Sequence, residues 1–251
     1  MNNFETDILR NIAIAPYLQF ATALIGKSRR IGGNQFRHVW ATAGILIDHK
    51  IIDPVILKAA VLHDIKEDAP DQFFPDEIKK IDDDGSKVVE LVNELSINKN
   101  VETKNEYLCR IMNRGSAEAK LIKLADRISN LTDIQLGTFD VEHIKKTLNE
   151  TITYILPKAK DVNENMYNEI LDLINKRKIY VEKTVKHITA KTLEHITSMI
   201  ENVTDDTVYE LSIVKDNFST KDILINTLYL LKDQIQSDAF TNKISNEIFH
   251  D

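Results

Sequence analysis

One short run of the chain concentrates the side chains that bind metal ions and move protons: Ala59-Ala60-Val61-Leu62-His63-Asp64-Ile65-Lys66-Glu67-Asp68. Its first half is apolar, and its second half carries a histidine and three carboxylates. Read as a single helix, residues four apart share a face, so His63 stands above Glu67 and Asp64 above Asp68. Adjacent His63 and Asp64 would point about 100° apart, and one ion reaches both only by lying between them. Imidazole with carboxylate is a ligand set suited to manganese, iron, cobalt or zinc rather than calcium. Two further candidate ligands exist. His38 lies 25 residues before His63 on the preceding predicted helix, and Asp126 interrupts the core-like series Leu121, Leu124, Ala125, Ile128 and Leu131. A carboxylate on such a face is costly unless it is paired or metal-bound. Asn130, four residues beyond Asp126, projects toward the same cavity. Taken singly, each feature has an ordinary explanation: a chance His-Asp pair, a solvated helix end before Pro70, a structural histidine, half of a surface ion pair. Their joint occurrence points to a metal site with a proton acceptor beside it.

Helices must position these groups. Apolar residues recur at helical spacing in Val39, Ala43, Leu46 and Ile47, in Leu57, Ala60, Val61 and Ile65, and in Val88, Leu91, Val92 and Leu95. The same spacing returns in Ile144, Leu148, Ile152 and Ile155, and no stretch alternates as a strand does between hairpin turns. The fold class is therefore all-α. Gly32-Gly33-Asn34 breaks the chain before the helix of His38, and Asp53-Pro54 supplies an N-cap and a first-turn proline. Pro70 and Pro75 bracket a loop, Asp82-Asp83-Asp84-Gly85 separates two helices, and Lys176-Arg177-Lys178 marks a seam. Beyond the seam, Val181, Val185, Ile188, Thr192, Ile196, Met199 and Val203 form an amphipathic stripe, followed by shorter helices to Asp251.

Composition narrows the function classes. A chain of 251 residues, 43% hydrophobic and 28% charged, buries a real core as one large domain or one domain with an appendix. The formal charge of −7 disfavours non-specific nucleic-acid binding, while leaving room for a local basic pocket. A single cysteine, Cys109, excludes both an intrachain disulfide framework and a cysteine-based zinc site. The N-terminus has no signal-peptide pattern and no run of 18 apolar residues occurs, so a soluble, cytoplasmic protein without a membrane partner is expected.

The residues together resemble the HD-domain phosphohydrolases, and within them the RelA/SpoT-type small alarmone hydrolases. The matching stretches are Arg29-Arg30-Ile31-Gly32 leading to His38, then Ala59 to Asp68, then Asp84-Gly85 with Val88 to Ser96, and finally Lys123-Leu124-Ala125-Asp126-Arg127-Ile128-Ser129-Asn130-Leu131. They span residues 16 to 175. His-Asp alone is common to the wide superfamily. The arginine nine residues before the first histidine, the Glu-Asp pair and Asp-x-x-x-Asn specify the alarmone branch. The resemblance implies an HD-type helical bundle over residues 1–176, with a C-terminal helical extension over 177–251. It implies that His38, His63, Asp64 and Asp126 hold one divalent ion, manganese in the family, and that Glu67 and Asp68 orient and deprotonate water. Arg29 and Arg30 would bind the substrate with Asn130, which would hydrogen-bond the ribose. The implied reaction removes the 3′-pyrophosphate of guanosine tetra- or pentaphosphate.

The sequence departs from the family near the first histidine. Where Pro-Tyr-x-x-His-Pro is usual, this chain has Asn34-Gln35-Phe36-Arg37-His38-Val39, and Leu24 stands in place of an upstream histidine. Adenosine alarmones, NADPH, a nucleoside monophosphate, or binding without turnover are the alternatives. Bifunctional relatives continue into a synthetase, for which the stretch after Lys176 is too short. That stretch is expected to pack on the catalytic domain or on a partner, including a second copy.

Overall fold

The computed structural model describes residues 3–134, 141–201, 228, 231 and 232. The chain separates into two compact units, Met1–Arg177 and Lys178–Asp251. Twelve α-helices are described: α1 (Asn3–Asn11), α2 (Ala15–Ala21), α3 (Gln35–Asp48), α4 (Pro54–Ala60), α5 (Ile65–Asp68), α6 (Pro75–Ile78), α7 (Gly85–Leu95), α8 (Lys104–Arg114), α9 (Ala117–Asp133), α10 (Val141–Glu150), α11 (Leu156–Val162) and α12 (Glu164–Glu201). Among the described residues there is no strand, only an isolated bridge between Ser28 and Asn34. No described helix is long and apolar enough to cross a membrane.

The first unit is organised around α9, which packs along α3 and touches α4, α7, α8 and α11. Ala119, Ile122, Leu124, Ala125, Ile128 and Leu131 of α9 are all buried, against Val39, Ala43 and Leu46 of α3 and Leu57, Ala59 and Ala60 of α4. Residues 122–129 at the centre of α9 are buried throughout, so that stretch has no solvent face on which to place polar residues. Lys123, Asp126, Arg127 and Ser129 of α9 are accordingly buried as well. Local chemistry sets the entry points of the helices. Asn34 caps α3 by accepting from the Arg37 N–H at 3.1 Å, and Asp53 caps α4 by accepting from Ile56 N–H at 3.0 Å. Gly85 opens α7 so close to α6 that a Cβ there would overlap the Ile78 carbonyl oxygen.

One sequence expectation is corrected and another is located. The run from Ala59 to Asp68 is not one helix: α4 stops at Ala60, residues 61–64 form a turn, and α5 begins at Ile65. The turn is carried by three-residue bonds, Leu62 N–H to Ala59 O and Ile65 N–H to Leu62 O, while His63 Nδ1 takes the Ala60 carbonyl at 2.7 Å. A side chain that occupies a backbone acceptor competes with helix continuation. The basic triplet at Lys176-Arg177-Lys178 falls at the boundary between the two units, within α12. Arg177 is buried, and its Nε and Nη2 donate to the carbonyls of Leu131 and Thr132 at 2.6 and 3.2 Å, satisfying the C-terminal end of α9. In the second unit the described part of the stripe buries Val181 and Ile196; Val203 and most of the chain to Asp251 lie outside the described residues.

The Asp82–Asp84 segment does more than separate helices. Lys58, buried on α4, donates to Asp82 Oδ2 at 2.8 Å and to Asp84 Oδ2 at 2.7 Å, and the buried Tyr17 hydroxyl donates to Asp82 Oδ1 at 2.7 Å. Burial opposes ionisation of Asp82, but the Lys58 ammonium and the Tyr17 hydroxyl outweigh it and hold the carboxyl below its ordinary range. Lys58→Ala is expected to cost about 2 kcal/mol, since both carboxylates stay partly solvated. A carboxyl depressed in the folded state contributes stability that is full above its unfolded pKa of about 4 and is lost as pH falls through the folded value. Calorimetry against pH should therefore show a wild-type loss on acidification that is smaller in Asp82→Asn.

Candidate functional site

Three separate elements deliver four side chains to one point. The Asn34 cap starts α3 so that His38 falls at the end of its first turn, the 61–64 turn presents His63 and Asp64, and the centre of α9 presents Asp126. His38 Nε2 lies 3.0 Å from Asp126 Oδ1 and 3.6 Å from Asp64 Oδ2. His63 Nε2 lies 3.2 Å from Asp64 Oδ1 and 3.9 Å from Asp126 Oδ1. The two imidazoles meet edge to face with centroids 5.4 Å apart. The turn over residues 61–64 brings the neighbours His63 and Asp64 to face one centre, where a continuous helix would point them about 100° apart. His38, His63 and Asp126 are buried, and Asp64 alone opens toward solvent.

The donor set fits a metal ion. A carbonyl oxygen only accepts, so the contact with Ala60 O places the His63 proton on Nδ1 and leaves a lone pair on Nε2. That buried Nε2 has no hydrogen-bond partner and faces two carboxylate oxygens. Lone pairs so arranged repel unless a cation lies among them. One ligand atom each from His38, His63 and Asp64 lies within 4.8 Å of the others, and two nitrogens with carboxylate oxygen suit a divalent transition ion. Surrounding groups fix the orientation: Ser129 Oγ lies 3.0 Å from His38 Nδ1, and Asn130 Nδ2 donates to Asp126 Oδ1 at 2.6 Å. Lys123 Nζ holds the other carboxylate oxygen, Oδ2, at 2.7 Å. Burial alone would raise the Asp126 pKa; the Lys123 ammonium and His38 reverse this and hold it well below the carboxylate range. Burial likewise opposes the Lys123 charge, and Asp126 with the Tyr107 ring 4.9 Å away keeps the ammonium protonated.

Glu67 and Asp68 follow on α5; like Asp126, which contacts His38 and lies near His63, they are not among the three residues whose ligand atoms all lie within 4.8 Å of one another. Glu67 Oε1 accepts from the Ile97 N–H at 3.0 Å, and burial pushes its pKa up, opposed by that N–H and reinforced by Asp64. Asp68 Oδ2 accepts from Gln35 Nε2 at 2.6 Å. Arg29 Nη2 donates to Asn130 Oδ1 at 2.8 Å and meets Asp133 Oδ2 at 3.1 Å, while its Nη1 donates to Gln35 Oε1 at 3.0 Å. Arg29 and Arg30 share with Lys104, Asp126, Asn130 and His143 the wall of a cavity of about 230 Å³. Guanidinium groups at such a wall suit phosphate oxygens, which they can hold in pairs. Sequence reasoning missed Lys123, Ser129, Gln35, Lys104 and Asp133. The first two stand three residues either side of Asp126, so helical spacing marks them; the last three carry no comparable signal.

No family model matches the chain. Guanosine-3′,5′-bis(diphosphate) 3′-pyrophosphohydrolase MESH1 of Drosophila melanogaster is 38% identical over 104 residues, covering 40% of this chain and 56% of that protein. The match thus spans little more than half the length of this curated relative. A solved structure described as a metazoan ortholog of SpoT that hydrolyzes ppGpp and plays a role in starvation responses has a TM-score of 0.57 and 26% identity, covering 65% of this chain and 94% of that one. In sequence and in fold, the chain is similar to the HD-type ppGpp hydrolases.

The metal fit has a thermodynamic consequence. Ligand present at about 100 times its Kd stabilises a fold by about 2.7 kcal/mol. Manganese, cobalt or zinc should raise the melting temperature of the wild type accordingly, and Asp64→Ala should remove that rise while leaving the metal-free protein folded. Asp126→Asn should instead destabilise the metal-free protein by about 3 kcal/mol, because it strands a buried lysine.

Proposed function

We propose that residues 1–176 form a metal-dependent hydrolase that removes the 3′-pyrophosphate of guanosine tetra- or pentaphosphate, or of the adenosine analogue. The products would be GDP or GTP and pyrophosphate. The observation that carries this reading is the convergence of His38, His63, Asp64 and Asp126 beside a cavity lined by Arg29, Arg30 and Lys104. The identity of the reaction comes from the similarity to a 3′-pyrophosphohydrolase and to a ppGpp-hydrolysing ortholog.

His38, His63, Asp64 and Asp126 would hold one ion, manganese by the family resemblance, which supplies Lewis acidity that makes water nucleophilic near neutral pH. Glu67, with its raised pKa, is suited to accept the proton of the attacking water. Asp68, held by Gln35, orients that water from the other side. Arg29, Arg30 and Lys104 neutralise the phosphate oxygens, and Asn130 takes the ribose hydroxyl. Water oxygen bonds to phosphorus, the bond from phosphorus to the 3′-oxygen breaks, and the 3′-oxygen leaves protonated. The substrate would be a free nucleotide in the cytoplasm, and residues 177–251 would serve for packing or self-association.

A panel of guanosine tetraphosphate, its adenosine counterpart, NADPH and a plain 3′-monophosphate tests this, with manganese and then with chelator. Pyrophosphate release from an alarmone, abolished by chelator, is expected; orthophosphate alone would refute the assigned bond. Glu67→Gln should keep the metal-induced rise in melting temperature and lower kcat by about 10²-fold or more. Because burial raises the Glu67 pKa and the base must be deprotonated, kcat should fall on acidification at a pH above the ordinary glutamate value of about 4.3. Loss of the metal on Glu67→Gln would refute its role.

A further inference from the structure

We propose that Gln35 is a positioning residue of this reaction, setting Asp68 and Arg29 with the two ends of one amide; this rests on the reading under Proposed function. The amide orientation follows from the partners. A guanidinium only donates and a carboxylate only accepts, so Oε1 must face Arg29, at 3.0 Å, and Nε2 must face Asp68, at 2.6 Å. A neutral head that both donates and accepts is required, and neither a carboxylate nor an aliphatic side chain supplies it.

The backbone holds Gln35 in place for this task. It is the first residue of α3, and its N–H donates to Lys27 O at 2.9 Å. Asn34 pairs with Ser28 across the isolated bridge, and Arg29 N–H donates to Gly33 O at 3.2 Å. The chain reverses between them through Gly32 and Gly33, at φ +90° and +72°, a conformation that L side chains rarely adopt. This tight loop lays Arg29 beside the first turn of α3, with Gln35 three residues before His38 and so on the same side of that turn.

The bonds continue beyond Gln35. Arg29 Nη2 reaches Asn130 Oδ1 at 2.8 Å, and Asn130 Nδ2 reaches Asp126 Oδ1 at 2.6 Å. Asp68, Gln35, Arg29, Asn130 and Asp126 thus form one unbroken series of donors and acceptors across α5, the loop, α3 and α9. Among the described residues, the Asp68 side chain accepts a hydrogen bond from Gln35 alone. Its orientation therefore depends on this amide, whereas Arg29 keeps Asn130 and Asp133 as further partners.

The test compares Gln35→Glu and Gln35→Leu with the wild type in the full chain, on guanosine tetraphosphate with manganese. Loss of an orienting hydrogen bond behind a reacting group commonly costs about 10–100-fold, and both variants should lose kcat in that range. Gln35→Glu still accepts from Arg29 and should keep KM within about twofold, while Gln35→Leu should raise KM as well. The kcat losses of Gln35→Glu and Asp68→Asn should be non-additive in the double variant, as expected for one residue acting through another. The metal-induced rise in melting temperature should be unchanged in every variant. Wild-type turnover with full kcat in both Gln35 variants would overturn the assignment alone. So would fully additive losses, or losses that track a reduced metal-induced stabilisation, because a merely structural role predicts those. A wild type that binds manganese but cleaves no nucleotide would overturn the proposed function and this assignment with it.

Discussion

The first unit depends on how one buried carboxylate is balanced. Asp126 sits in the middle of α9, the helix enclosed by α3, α4, α7, α8 and α11, where an unpaired charge would be prohibitively costly. Its two oxygens have different partners. Oδ2 is given to Lys123, one turn earlier on the same helix, and Oδ1 to His38 and Asn130. The Lys123 pair keeps the carboxylate ionised whatever occupies the other side. This division leaves one oxygen of a charged group directed at His38 and His63, and it makes a largely buried helix the one that carries Asp126 of the candidate centre.

The remaining groups are brought to Asp126 by departures from regular structure. A continuous helix through residues 59–68 would splay His63 and Asp64 apart; the 61–64 turn, in which His63 captures the Ala60 carbonyl, turns both inward. The Gly32-Gly33 reversal does the same for Arg29, which a longer or stiffer loop would carry away from α3. Regular helices supply the frame, and the irregular joints between them aim the side chains. Ends of helices are where backbone groups lack internal partners, so side chains there both satisfy the backbone and acquire a fixed direction. Arg177 applies the same logic at the other end of α9, closing the carbonyls of Leu131 and Thr132 just beyond Asn130.

Helical spacing made the all-α class and the course of α3, α7 and α9 legible in the sequence, because an amphipathic or buried helix writes its period into its apolar residues. The four residues of the candidate centre were legible because histidine and carboxylate in apolar surroundings are rare enough to stand out. What the sequence hid was of two kinds. The turn after Ala60 arises from a side-chain bond to a carbonyl three residues away, and residues 59–65 read equally well as helix. Gln35, Lys104 and Asp133 are ordinary polar residues in sequence; their significance comes from Asp68, 33 residues from Gln35, from Arg29, which pairs with Asp133 from far along the chain, and from the cavity wall that Lys104 shares. Lys176-Arg177-Lys178 was legible as a seam, and the boundary between the two units falls there, but the burial of Arg177 against two α9 carbonyls was not legible, because those partners lie far back in the chain.

The cavity beside the centre reverses the sign of the whole chain. The protein carries a net −7, yet Arg29, Arg30, Lys104 and Arg127 converge on one wall, balanced by Asp126, Asp133 and Glu150. Arg29 lies 3.1 Å from Asp133 and Arg127 lies 3.7 Å from Glu150, so these cations are already paired. An incoming anion must exchange for those partners, and its binding energy is the difference between two sets of charge pairs rather than the sum of new ones. The same pairing keeps the guanidinium groups in place before the ligand arrives, which lowers the ordering cost of binding. The electrostatics of this cavity are therefore set by the arrangement of counter-charges as much as by the cations themselves.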